Sequence, residues 1–157
     1  MAAGAFQVYR SAIGAIGGNT LDLDTSGTPR FRMALVTSAY TPNLATHNDW
    51  QDVSANEVAN GGGYTTHGKL LAVTWTAPGS PGLWTFDCDD QSWTSSTITA
   101  KYAVIVSDAD ANGALAATDQ LLCYCDLDTG GGSVSTTNGT FAININAAGV
   151  FTLEQTN

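Results

Sequence analysis

Residues 84–106 read Trp84-Thr85-Phe86-Asp87-Cys88-Asp89-Asp90-Gln91-Ser92-Trp93, then Thr94 to Thr99, then Ala100-Lys101-Tyr102-Ala103-Val104-Ile105-Val106. Trp84, Phe86 and Cys88 alternate with Thr85 and Asp87, the period of a strand with one buried face. Ile98 to Val106 is dense in β-branched and aromatic residues, which predicts a second strand. Asp87, Asp89 and Asp90 mark an acidic turn between them. Outward from this stretch, strands are predicted at 31–37, 69–76, 83–88, 98–106, 121–127, 140–145 and 149–153. Short apolar runs at this spacing, with 17 Gly to serve turns, favour an all-β chain, a β-sandwich or jelly roll, over a helical fold. Trp75, Trp84, Phe86, Tyr102, Val104, Leu122, Phe141 and Leu153 are the expected core, with Leu121 competing with Leu122 for the inward face. Asn138-Gly139 leads into one strand, and Ala147-Ala148-Gly149 reads as a hairpin loop between the last two.

Two segments break the strand pattern. Residues 1–20 are rich in Ala and Gly, with Phe6, Val8, Ile13 and Ile16 as large anchors. They predict an N-terminal arm, a short strand or a helical turn near 12–16, ahead of a single β-sandwich domain over 21–157. Such an arm needs a surface to stay ordered, its own body or a neighbour. Residues 41–66 carry Pro42, His47, Trp50, a Ser54-x-x-Glu57 capping box and Gly61-Gly62-Gly63, which predicts a long excursion with one short helix at 53–59. Excursions of this length are often functional.

At 157 residues the chain fits one domain with a real core. Charged residues are 12%, about half the usual ~25%. The polarity comes instead from Thr, Ser and Asn, and such neutral surfaces suit broad contact because few charges must be desolvated. The net charge is −9, and the cations are Arg10, Arg30, Arg32, Lys69 and Lys101. Nucleic-acid binding needs clustered Lys and Arg, and no cluster exists here. No run approaches 18 apolar residues, so no membrane helix is expected. Cys123 and Cys125 sit two apart in a predicted strand, about 7 Å from each other on one face. That spacing suits free thiols better than a disulfide.

Three clusters have residue types that can do chemistry. Asp108-x-Asp110-x-Asn112-Gly113, with Asp119 at the twelfth position, follows much of a calcium-loop pattern. It lacks flanking helices, has Ala116 at the ninth position and ends on Asp, so a solvated hairpin loop is the plainer reading. His47, Asp49 and Asp52, with His67 further on, could ligate a metal, but at spacings of no standard motif. Asp87, Asp89 and Asp90 beside Trp84 and Trp93 would suit glycoside chemistry, against the simpler reading of a turn with inward tryptophans. No Gly-x-Ser-x-Gly elbow or phosphate loop appears. The residues alone predict no catalytic site and no cofactor.

The acidic turn followed by Trp93-Thr94-x-Ser96-Thr97-Ile98-Thr99-Ala100-Lys101-Tyr102-Ala103-Val104-Ile105 resembles a small structural protein of tailed bacteriophages. Met33 to His47, Asp52 to Val58 and Thr137 to Phe141 resemble the same group, so the likeness covers most of 20–153. The chain departs from it at Ile105-Val106-Ser107-Asp108, where a Tyr before the Asp is expected, and at Cys123-Tyr124-Cys125, where a Gly is more usual. The resemblance implies a non-enzymatic virion component, a capsid decoration or cement protein made in the bacterial cytoplasm. It implies a homodimer or homotrimer on the outer capsid surface that bridges major capsid protein subunits. Phe6, Val8, Arg10, Ile13, Arg30, Arg32, Tyr40, His47 and Trp50 are the expected contact residues, with the arm reaching a neighbouring subunit. The alternative is a carbohydrate- or receptor-binding module of a head or tail fibre. An exposed Trp84 or Trp93 would favour that alternative, and buried tryptophans the capsid role.

Overall fold

The computed structural model describes residues 3–24, 30–77, 82–110 and 112–154. Among these the regular structure is mostly strand, with two short helices. In order come β1 (Gln7–Val8), α1 (Arg10–Gly17), β2 (Phe31–Val36), α2 (Gln51–Ser54), β3 (Lys69–Leu70), β4 (Val73–Thr76), β5 (Leu83–Cys88) and β6 (Gln91–Ser96). β7 (Thr99–Ala100), β8 (Tyr102–Ser107), β9 (Leu121–Asp126), β10 (Val134–Ser135), β11 (Gly139–Ile143) and β12 (Phe151–Glu154) follow. All pairings are antiparallel. One five-stranded sheet has the order β1-β9-β8-β2-β3, and smaller sheets are β12-β5-β4, β11-β6 and β10-β7. Phe31 of the large sheet meets Phe86 of the β12-β5-β4 sheet edge to face at 5.1 Å, so the two layers share a core as in a sandwich.

The large sheet is buried on both faces, which explains why Met33-Ala34-Leu35-Val36 and Ala103-Val104-Ile105-Val106 read as unbroken apolar runs. One face, with Phe31, looks into the sandwich. On the other, Tyr102 packs on Tyr40 and on Tyr124, and Tyr124 packs on Tyr9. The N-terminal segment and the 41–66 excursion together form that cover. Leu121 and Leu122 are both fully buried. The register slips between Ile105 and Val106 so that Leu122 is the extra residue of a bulge. The choice between the two leucines therefore disappears.

The structure corrects several expectations. The arm does not project. Gln7 and Val8 pair with β9, Tyr9 and Ala12 are fully buried, and Phe6 and Val8 pack against the core. The 69–76 strand is two strands in different sheets, because Leu71 drops into the core and donates its N–H to Phe31. The 98–106 strand breaks at Lys101, whose N–H turns to the Val36 carbonyl. Residues 91–96, which lie outside the predicted strands, form one with Gln91, Trp93 and Ser96 inward. The last two strands are not a hairpin: β11 pairs with β6 and β12 with β5. The predicted 53–59 helix is a single turn at Gln51–Ser54. It stops because Asn56 and Val58 are drawn to the end of β2, through Thr37 N–H to Asn56 O and Val58 N–H to Leu35 O. Glu57 accordingly caps no helix; its carboxylate accepts from Tyr64 Oη at 2.7 Å and from the His67 N–H at 2.5 Å.

Candidate functional site

Cross-strand pairing places Trp84, Phe86, Trp75, Phe151 and Leu153 on one face of the β12-β5-β4 sheet. Phe86 is fully buried under the large sheet, but Trp84 is 44% exposed. The alternation of β5 is thus as expected, and only the position along the strand differs: the end of β5 runs past the edge of the core. There Trp84 stacks on half-buried Trp75, with ring centroids 5.3 Å apart and planes at 24°. Tyr102 and Leu153 are also only partly buried, whereas Val104, Leu122 and Phe141 lie in the core as expected.

Trp75 also walls a dimple of about 150 Å³, completed by Ile16, Asn19, Leu21, Asp22 and Leu23. Helix α1 positions the far side. Its C-cap is Gly18, and Asn19 takes φ 56°, a left-handed conformation that Asn tolerates better than most residues. Asp22 is exposed, and its carboxylate accepts the Asp24 N–H at 2.9 Å. Ile13, one turn back along α1, is 56% exposed. The result is an aromatic ledge beside a small polar hollow, between α1 and the end of the β12-β5-β4 sheet.

The expected contact residues separate into two groups. Tyr40 and Trp50 are buried, both 2% exposed. Tyr40 lies in a hydrogen-bonded chain, 2.9 Å from Tyr9 Oη and 2.8 Å from His47 Nδ1, so His47 serves the interior too. Burial pushes the Tyr40 phenol up to about 12. Arg32 is turned into the protein rather than outward. It donates to the carbonyls of His67 and Gly68 and faces Asp108 at 3.7 Å. Phe6 and Val8 are inward. Arg10, Ile13 and Arg30 remain exposed. Pro, Thr and Asn around Tyr40 and Trp50 read as loop, and nothing in so short a window signals that the loop lies flat over a sheet.

The calcium-like loop is not arranged around a common point. Asp108 is buried, its carboxylate turned to Arg32. Asn112 Oδ1 accepts from the Ala114 N–H and Asp119 Oδ2 from the Ala116 N–H, while Asp110 is exposed. Burial raises the Asp119 pKa, the backbone N–H groups of Ala116 and Ala109 pulling the other way. Among the described residues no three His, Cys, Asp or Glu side chains gather as a metal site requires. His67 lies against Trp50, and Asp52 caps the Asn48 and Asp49 N–H groups. Of the acidic turn, Asp87 binds the Cys88 N–H and Asp90 the Ile145 N–H.

A larger cavity of about 560 Å³ lies between residues 3–6 and 141–150. Phe6, Leu127, Phe141, Ile143 and Val150 make it apolar, and its one titratable lining group is the Cys125 thiol, which burial pushes up to about 11. All three cysteines are free and buried. Among the described residues no helix is long and apolar enough to cross a membrane. Set against protein-family models, curated proteins and solved structures, the chain matches none of them.

Proposed function

We propose that this protein is a non-enzymatic virion component that binds the outer capsid lattice of a tailed phage and braces it. The resemblance across 20–153 carries this reading; the exposed Trp84–Trp75 ledge, which by itself favours the carbohydrate-binding alternative, gives it a surface on which a partner can seat. Two large rings are held at the surface of an otherwise hydroxyl-rich, sparsely charged body. Covering the exposed part of Trp84 would contribute about 2–3 kcal/mol. The resemblance across 20–153 supplies the partner, the major capsid protein. Bridging adds buried area across a joint between subunits, so that opening the joint must break both contacts.

A second reading has its own support, because an exposed Trp84 is the feature a carbohydrate-binding fibre module would require. One experiment separates the two. Purified protein is added to matured capsids that lack it and, in parallel, to host cell-surface polysaccharide. Capsid decoration predicts saturable binding at a stoichiometry fixed by the lattice, and a higher temperature of DNA release. Polysaccharide binding with no capsid binding would replace the first reading by the second.

A further inference from the structure

We infer that the dimple beside Trp75 is the receptor for a cationic side chain of the capsid partner, an arginine or lysine whose neighbouring apolar surface covers Trp84. Three independent features converge there. The C-terminal end of α1 lies beside the hollow at Ile16 and Asn19 and holds no basic residue in its last turn, although the carbonyls of Gly14, Ala15 and Ile16 already accept backbone N–H groups of residues 18–21. The Asp22 carboxylate lines the hollow, with Asp24 also exposed nearby. Trp75 forms the wall, and an indole face attracts a cation through its quadrupole. A guanidinium there would pair with Asp22 and lie against Trp75, and its methylene stem would run toward Trp84. At ~30 Å³ per water, a hollow of about 150 Å³ holds about five waters, room for one side-chain head.

Charge selects a capsid subunit over a second copy of this chain. Among the described residues Asp22, Asp24, Asp89, Asp90, Asp110 and Glu154 are exposed, against only Arg10 and Arg30. Arg32 is engaged with backbone carbonyls and Asp108, Lys69 with the Ser92 carbonyl and the Trp93 ring, and Lys101 with Asp126. Two copies would approach with like charge. A neutral sugar could also donate a hydroxyl to Asp22, but its binding would lack the salt dependence that pairing with a cation gives.

This inference rests on the capsid-binding reading, and the test keeps the two apart. Capsid binding is measured for the wild type, Asp22→Asn, Asp22→Lys, Trp84→Ser and Asp110→Asn, with thermal melts confirming that each variant is folded. If the wild type does not bind capsids, the capsid reading itself fails. Given wild-type binding, Asp22→Asn should weaken it about tenfold and reduce its salt dependence. Asp22→Lys should abolish binding, and Trp84→Ser should weaken it about tenfold. Asp110→Asn, which removes the same charge elsewhere, should change it less than about twofold. Wild-type-like binding by Asp22→Lys would overturn the inference. So would an equal effect of Asp110→Asn, self-association through this face, or polysaccharide binding that depends on Trp84.

Discussion

At the scale of single residues, backbone clearance matters more than composition. Gly68 is buried with φ +60°, and a Cβ there would lie 1.9 Å from the Met33 carbonyl oxygen and 2.8 Å from Ala34 Cα. That backbone belongs to β2, held between β8 and β3, so it has nowhere to move. Gly68→Ala should therefore cost about 3 kcal/mol or more. Gly14 gives the opposite case, with nothing within 4 Å of its notional Cβ. Gly14→Ala should stabilise by about 0.5–1 kcal/mol, through helix propensity and a less flexible unfolded chain. Urea midpoints for the two variants test the pair. Equal shifts of the same sign would contradict the clearance argument.

At the scale of elements, the N-terminal segment shows how a weak sequence signal can hide a large structural role. Its Ala- and Gly-rich composition reads as an arm in search of a neighbour, yet Tyr9 is fully buried, packs on Tyr124 and hydrogen-bonds Tyr40. Gly4 and Tyr9 add backbone bonds to Asp126 and Leu122. Removal of residues 1–16 should therefore lower the melting temperature sharply, although their composition reads as an arm outside the β-domain. Tyr9→Ala should cost about 3–5 kcal/mol, and Tyr9→Phe, which keeps the ring, about 1 kcal/mol. A truncated protein that melts like the full chain would return the segment to the role of a free arm. The strand β5 was legible by its alternation, and β2, β8 and β9 as short apolar runs rich in branched and aromatic residues. β6 was not, since Ser92, Thr94, Ser95 and Ser96 give an apolar-polar period little to work with. Periodicity assigned the inward face of Trp84 correctly. It carries no information on where along a strand the facing sheet ends, and that decides whether an inward residue is buried or forms a ledge.

At the scale of the whole molecule, the core withholds several thiol and phenol protons from alkali. Burial pushes the Cys88 thiol up to about 12 and the Cys125 thiol up to about 11, and it raises that of Cys123 well above the usual range. The phenols of Tyr9, Tyr40 and Tyr64 are raised as well, again chiefly by burial. In the unfolded chain the thiols lose their protons near 9.0 and the phenols near 10.0. Above about pH 9 the folded state therefore binds more protons than the unfolded state, and stability falls as pH rises. Below that point these groups are protonated in both states, and their contribution is complete and constant. Each buried thiol, once past its unfolded titration, removes about 1.4 kcal/mol of stability per pH unit. Three acting together remove about 4 kcal/mol per unit, against a total stability of about 5–15 kcal/mol for a domain of this kind. The urea midpoint should hence be level from pH 7 to 9, fall steeply through pH 10, and reach zero near pH 11 to 12. Native thiols should resist alkylation at pH 8 and react fully once the chain is unfolded. A midpoint that stays level to pH 11 would mean that the thiols and phenols are far better solvated than the packing of β5, β9 and the tyrosine cover allows.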